Sequence, residues 1–371
     1  MTARAVARIN LAALARNCSL LLRASPRLCA VVKADAYGHG AVPCARAALA
    51  VGASSLAVAT AAEVRELRAG GLRECTILVL GALTRAELAE ALADRAEVVA
   101  WTDGFLDSVL GCGGGVVHVK LDTGMGRFGT RDRALAERLV QRVEDTDGLE
   151  LGGVMTHLAT ADEGDDRFLE EQLERFAGWV APLRERRPDL LAHAENSAAL
   201  LRAGRARFDM ARCGVALYGL DPFGEDPRAR GLEPVLELHS WVSALKPCAP
   251  GESAGYGRRF IATVPTELAV LPVGYADGVR RVLSGRAEVL IDSARRPLVG
   301  TISMDSLTVD LGRQSGVTIG ADAILIGAAG EQRITAEDLA RAAGTINYEI
   351  TCALSRRVAR EHHRDGEPVA A

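Results

Sequence analysis

The chain has 371 residues, of which 49% are hydrophobic and 25% charged, with a formal net charge of −4. This is the composition of an ordinary soluble protein with material for a large core, and its length favours two domains over one. Near charge balance gives no reason to expect a nucleic acid or an anionic membrane as partner.

Eight cysteines at 18, 29, 44, 75, 112, 213, 248 and 352 never fall at CxxC spacing. They read as reduced core thiols of a cytoplasmic protein, with no metal cluster expected. The N-terminus lacks a continuous apolar leader, and "INLAALARNCSLLLR" carries helical periodicity instead. No apolar run approaches the length of a membrane span.

From residue 28 onward, short apolar runs alternate with amphipathic stretches. Strands are predicted at 28–34, 56–59, 76–80, 97–101, 116–122, 151–158, 190–195 and 208–219, with helices such as Thr60 to Ala69 and Asp166 to Arg186 between them. Eight βα repeats predict a (β/α)8 TIM-type barrel over 1–230, with a doubly wound sheet as the rival reading. "DPFGEDPRARG" (221–231) reads as a linker. Beyond it the pattern becomes strand-rich and broken by Gly and Pro, with one late helix, Ala336 to Ala343. This predicts a mainly-β domain over 231–371.

Barrel sites sit at the C-terminal ends of strands, and chemistry-bearing residues fall there. Lys33 ends the first run, in "AVVKADAYGHG", and His157 ends the sixth; Asn196 and Ser197 follow the seventh, and Arg212, Gly214 and Val215 lie in the eighth. Ser197 opens a short helix, and Gly214 lets backbone N–H groups approach an anion. A buried lysine opposite an anion cradle points to pyridoxal 5'-phosphate, which needs an amine partner and a donor-rich phosphate site. Each residue also has a plainer reading: a strand-end salt bridge for Lys33, a core histidine for His157, an N-cap for Ser197. In "VVHVKLD", His118, Lys120 and Asp122 share one strand face. Lys120 could pair with Asp122 on the surface, or point from the barrel mouth toward Arg127.

Motifs along the whole chain carry a resemblance: "AVVKADAYGHG", "HVKLDTGMGRFG", "MTHLATAD", "ENSAALL", "FDMARCGVALYGL", "AGYGRRF", "PVGYADG", "GTISMD" and "YEITCALSRRV". Together they resemble the alanine racemases of the fold-type III pyridoxal-phosphate family. The resemblance implies interconversion of L- and D-alanine, supplying D-alanine for peptidoglycan. It implies that Lys33 carries the cofactor and acts as one base while Tyr256 acts as the other. Tyr37, Tyr348, Ser197, Gly214 and Val215 would contact the phosphate. Arg212 would face the pyridine nitrogen, with His157 behind it and Asn196 near the ring. Arg127 and the backbone of Met304 would hold the substrate carboxylate, and Lys120 would be carbamylated. The family's head-to-tail homodimer would build each shared site from two chains. Glu195 stands where the family usually has a small residue. A racemase of serine or another small amino acid, a fold-type III decarboxylase and a non-catalytic cofactor-binding protein are the competing readings. Arg212 argues against the decarboxylase, which uses a glutamate near the ring nitrogen, and the β domain argues against the small binding proteins, which lack one.

Overall fold

A computed structural model describes residues 3–25 and 27–369. The chain divides into two compact units. One runs from Ala15 to Leu217 with Tyr37–Gly40 left out. The other takes those four residues, the N-terminal segment up to Leu14, and everything from Tyr218 on.

The first unit is a barrel of eight parallel strands: β1 (Leu28–Val31), β2 (Ser55–Val58), β3 (Ile77–Val79), β4 (Glu97–Ala100), β5 (Gly115–Lys120), β6 (Leu149–Met155), β7 (Ala192–His193) and β8 (Ala211–Cys213). Each strand pairs with the next from β1 to β7, and β8 pairs with β1. The remaining seam, between β7 and β8, is spanned by backbone bonds from Asp209 N to Ala192 O (3.0 Å) and from Arg212 N to Glu195 O (2.9 Å). The strands are almost wholly buried, as parallel strands covered by crossover helices must be. Helix starts follow capping chemistry. Thr60 with Glu63 and Thr84 with Glu87 form reciprocal capping boxes, which fix helices Ala61–Ala69 and Arg85–Ala93.

The strand edges differ from the sequence expectation at two functional ends. β1 stops at Val31, so Lys33 lies two residues beyond it. β8 covers only Ala211–Cys213, and Val215–Tyr218 forms a 3-10 turn. Ser197 Oγ accepts from the N–H groups of both Gly214 (3.1 Å) and Ala216 (3.3 Å), which takes those donors away from a ladder.

The second unit is built on an eleven-stranded sheet. Strand Leu236–Trp241 sits inside it, antiparallel to Asp322–Ala329 on one side and to Val6–Asn10 on the other. Val6–Asn10 also runs parallel to Ala359–Arg364. The N-terminal strand is therefore part of the β unit. The expected linker also belongs to this unit, and it is tied down. Asp221 is fully buried, its N–H donates to Glu337 Oε1 (3.0 Å), and its carboxylate takes Glu225 N (2.8 Å) and Arg230 Nε (2.9 Å). Helix Ala336–Ala343 forms over the expected span behind a Thr335–Asp338 capping box. A second helix, Asn347–Cys352, escapes the sequence reading. No helix among the described residues is long and apolar enough to cross a membrane.

Candidate active site

At the C-terminal end of β1 the backbone does something L-residues resist. Ala34, Asp35, Ala36 and Tyr37 all have φ between +52° and +55°, a left-handed turn directly after Lys33. Such a turn costs roughly 1–2 kcal/mol per non-glycine residue. It is held by Ala36 N to Val32 O (2.9 Å), Ala34 N to Glu63 Oε1 (2.7 Å) and Ala41 N to Asp35 Oδ1 (2.9 Å). The Glu63 that closes the capping box thus also anchors this turn. Strain held this firmly beside a lysine marks a place where backbone position matters.

Arg212, on β8, is 4% exposed and meets acceptors on nearly every side. Nη1 donates to His193 O and His193 Nδ1, both at 2.9 Å. Nη2 donates to Thr156 O (2.7 Å), Ala194 O (3.2 Å) and His157 Nδ1 (3.3 Å). Burial draws the guanidinium down to about 10, so it stays charged at neutral pH. His157 falls well below the usual imidazole range through burial and then through the charges of Arg212, Lys120, Arg127 and Lys33. It is a neutral acceptor toward Arg212.

Lys120 is 4% exposed at the end of β5. Burial, followed by repulsion from Arg212 and Arg127, drops its ammonium from 10.5 to about 7, with Lys33 adding to the effect and Asp122 opposing it. The surface pairing with Asp122 is not what forms. Asp122 bonds instead to Gly124 N (3.1 Å), Gly126 N (3.0 Å) and Arg131 Nε (3.2 Å). Burial would raise that carboxyl, but these donors outweigh it and hold it below its ordinary value. Arg127 lies exposed in the loop after β5, close enough to act on both Lys120 and His157. Asn196 caps helix Ser197–Ala203, its Oδ1 accepting from Ala199 N (2.9 Å), and Ser197 reaches across to Gly214. Lys33, Lys120, Arg127, His157 and Arg212 thus form one electrostatically coupled group at the barrel mouth, and Asn196, Ser197, Gly214 and Val215 occupy the β7 and β8 ends.

The β unit gathers the rest into two places. Tyr37 and Tyr348 have ring centroids 5.9 Å apart, and Tyr37 also packs on Tyr218 at 5.0 Å. A Cβ on Gly38 would meet Thr351 O at 2.2 Å, so only glycine admits this approach. In the second place, three loops converge around Tyr256 and Met304. Thr301 Oγ1 donates to Tyr256 O (2.8 Å), and Ala276 N donates to Met304 O (3.0 Å). Gly255, at φ +71°, opens the Tyr256 turn. Tyr256 is 72% and Met304 52% exposed.

The sequence reading named neither His193 nor Glu97 and gave His118 no role. All three lie beneath Arg212 in the barrel, where a polar residue at an inward strand position was the available signal.

Two family profiles match this chain. The alanine racemase N-terminal domain covers residues 9–222 and the alanine racemase C-terminal domain covers 235–362. The alanine racemase of Symbiobacterium thermophilum is 42% identical over 364 residues, spanning 95% of this chain and 96% of its own. That of Syntrophobacter fumaroxidans is 39% identical over 368 residues, 96% of each chain. Among solved structures, alanine racemase from the D-cycloserine producer Streptomyces lavendulae superposes with a TM-score of 0.92 at 35% identity, covering 98% of both chains. The Bacillus anthracis enzyme, solved with bound L-Ala-P, gives 0.91 at 34% identity over 100% of this chain and 97% of its own. With both domains matched and full-length relatives near 40% identity, this chain belongs to the alanine racemase family of isomerases.

Proposed function

We propose that this chain interconverts L- and D-alanine with pyridoxal 5'-phosphate as cofactor, and that Lys33 and Tyr256 are its two bases. D-alanine so formed would feed peptidoglycan assembly. The observation that carries the proposal is Arg212, a permanently charged guanidinium fixed by five acceptors at the C-terminal ends of the barrel strands. The donor set suits the cofactor. Burial first, and then the charges of Arg212, Arg127 and Lys33, bring Lys120 down to about 7, and an anionic group at the mouth would offset that crowding of positive charge. Ser197, Gly214 and Val215 offer the β7–β8 position where barrels commonly take a phosphate, and Tyr37 with Tyr348 supply phenolic donors. Pyridoxal phosphate supplies an electron sink that makes the α-hydrogen of an amino acid removable.

The chain's own groups do the rest. Lys33 Nζ would hold the cofactor and would move a proton on one face of the α-carbon. Tyr256 Oη moves a proton on the opposite face, since a single base cannot serve both without relocating. Arg212 would face the ring nitrogen as a donor that does not give up its proton, which would keep the sink weak and limit side reactions. His157 stands behind Arg212, and Asn196 would lie by the ring. Arg127 and the Met304 backbone hold the substrate carboxylate. Lys120 is carbamylated: its neutral amine takes up CO2 and releases a proton, turning a cation into an anion that orients Arg127. A second copy of the chain completes each site, with Tyr256 and Met304 facing the partner's barrel. The high exposure of both in the single chain supports this.

The test is chiral product analysis of the purified protein against a panel of L-amino acids, combined with borohydride reduction and peptide mapping. Racemised alanine and a pyridoxyl group on Lys33 are expected. Label on another lysine, or decarboxylated product, would overturn the proposal; racemised serine with inert alanine would reassign the substrate.

A further inference from the structure

Beneath Arg212 the barrel is not filled by aliphatic layers alone. Arg212 Nη1 lies 2.9 Å from His193 Nδ1, His193 Nε2 lies 2.9 Å from His118 Nδ1, and His118 Nε2 lies 2.7 Å from Glu97 Oε2. The two imidazoles meet edge to face at 88°. His193 and His118 are 0% and 2% exposed, while the Glu97 side chain is 22% exposed. Glu97 opens β4, beside the strand starts Gly115 and Val116, so it stands at the N-terminal floor of the barrel. The column therefore runs from floor to mouth.

Its protons have only one consistent arrangement. A guanidinium has donors and no acceptor, so His193 Nδ1 accepts and the ring carries its hydrogen on Nε2. That hydrogen faces His118 Nδ1, which must accept in turn. His118 then carries its hydrogen on Nε2 and donates to the Glu97 carboxylate. A second proton on either ring would set two N–H groups against each other. Burial, then Arg212, His118 and Lys120, push His193 well below the imidazole range, which favours the neutral form. The other groups facing the column are Lys120 on β5, Cys29 on β1, and Glu195 and Cys213 beside Arg212. Burial lifts Cys29 to about 11 and Cys213 to about 12, so both stay neutral. Glu195 Oε1 is already taken by Arg207 N (2.6 Å) and Phe208 N (3.2 Å).

The neighbouring strand makes room for this column. On β6, a Cβ at Gly152 would meet His118 Nε2 at 2.7 Å, and one at Gly153 would meet His118 Nδ1 at 3.0 Å. Successive strand residues normally face opposite sides. Both reach His118 because the β5–β6 register shifts between Val117 and His118.

We propose that Glu97 is a positioning residue for the racemisation: through His118 and His193 its carboxylate orders the tautomers that hold Arg212 in one orientation, some three hydrogen bonds away. The proposal rests on the reading in which Arg212 faces the cofactor ring nitrogen. It is tested in two steps on the full-length chain. In the first, 15N-histidine-labelled apo-protein reports tautomers by NMR. His118 and His193 should each carry a single ring hydrogen, on Nε2. A doubly protonated ring, or hydrogen on Nδ1 of either, overturns the column. In the second, Glu97→Gln, Glu97→Ala and Glu97→Asp are reconstituted with pyridoxal phosphate, and the pH profiles of kcat/KM and of the visible absorption are recorded. Loss of an anion lowers the pKa of groups that face it. The Gln and Ala profiles should therefore move to lower pH by up to about one unit, the scale of one charge acting over roughly 10 Å at an effective dielectric of about 20. Asp should restore most of the wild-type profile. Superimposable profiles in all variants, with unchanged tautomers, refute the positioning role. If Ala does not fold, Gln and the wild-type tautomers still decide. A wild-type chain that binds cofactor but racemises nothing removes the functional reading instead, and the tautomer measurement decides the column on its own.

Discussion

Replacing Lys120 with methionine tests the charge balance of the barrel mouth directly. The fall of its ammonium from 10.5 to about 7 corresponds to about 5 kcal/mol of unfavourable burial and repulsion for the charged form, since each unit is worth about 1.4 kcal/mol. The sign follows from proton uptake. In the folded state Lys120 gives up its proton near pH 7, whereas in the unfolded chain it holds it to about 10.5. Between these values the unfolded chain binds more protons, so wild-type stability rises with pH across that window. Methionine keeps the apolar stem and removes the charge. The variant's advantage should be greatest at and below pH 7, up to about 5 kcal/mol, and should vanish toward pH 10.5. The assay is urea unfolding of both apo-proteins across this range in CO2-free buffer, read as the shift in midpoint. Bicarbonate should then stabilise the wild type and leave Lys120→Met unchanged, because only the lysine can become a carbamate. A stability difference constant with pH would show that Lys120 is not a charge held against its neighbours. Equal response of both proteins to bicarbonate would refute carbamylation at this residue.

Two further outcomes follow. Ala34 is exposed with φ +53°, and its N–H bond to Glu63 needs no side chain; Ala34→Gly should raise the urea midpoint by the equivalent of about 0.5–1 kcal/mol, the relief of a left-handed Cβ less the entropy of glycine, and a lower midpoint would show that the turn is not strained at this residue. Lys33→Ala and Tyr256→Phe chains should each be nearly inactive, yet after proven subunit exchange they should recover roughly a quarter of wild-type activity, because half of randomly paired dimers are mixed and each has one intact site; no recovery would mean that both bases come from one chain.

The barrel was legible in the sequence because parallel strands buried on both faces appear as short apolar runs, and eight such runs separated by amphipathic stretches leave few other folds. The amphipathic stretches Thr60 to Ala69 and Ala336 to Ala343 were legible as helices, and in the structure capping boxes at Thr60 and Thr335 fix where they start. Val6–Asn10 was not, because "VARIN" is five residues long and its partners are remote: Leu236–Trp241 and Ala359–Arg364. The left-handed turn after Lys33 was equally hidden. Alanine and tyrosine resist positive φ and aspartate tolerates it only as a single residue, so the run depends on hydrogen bonds that the local sequence does not announce, among them the bond from Ala34 N to the remote Glu63. Most candidate residues were named from motif resemblance. Resemblance singled out Arg212, and it passed over His193 and Glu97, which stand behind it in the hydrogen-bonded column.

That blind spot has a physical origin in Arg212. A buried guanidinium cannot shed its proton at ordinary pH, so its charge has to be accommodated by structure. A carboxylate in direct contact would accommodate it most simply, but it would also cancel the field that Arg212 presents toward the mouth. The chain instead surrounds the guanidinium with neutral acceptors, three carbonyls and two imidazoles, and sets one carboxylate at the far end of a two-histidine column. The carbonyls of Thr156, His193 and Ala194 come from the ends of β6 and β7, so the strands themselves fix the arginine plane. The imidazoles convey the influence of Glu97 as proton order rather than as contact charge. Burial comes first in the depression of Lys120 and the neutrality of His157, and the charge of Arg212 comes next in both. The site keeps a charge it cannot neutralise next to groups that can still change theirs.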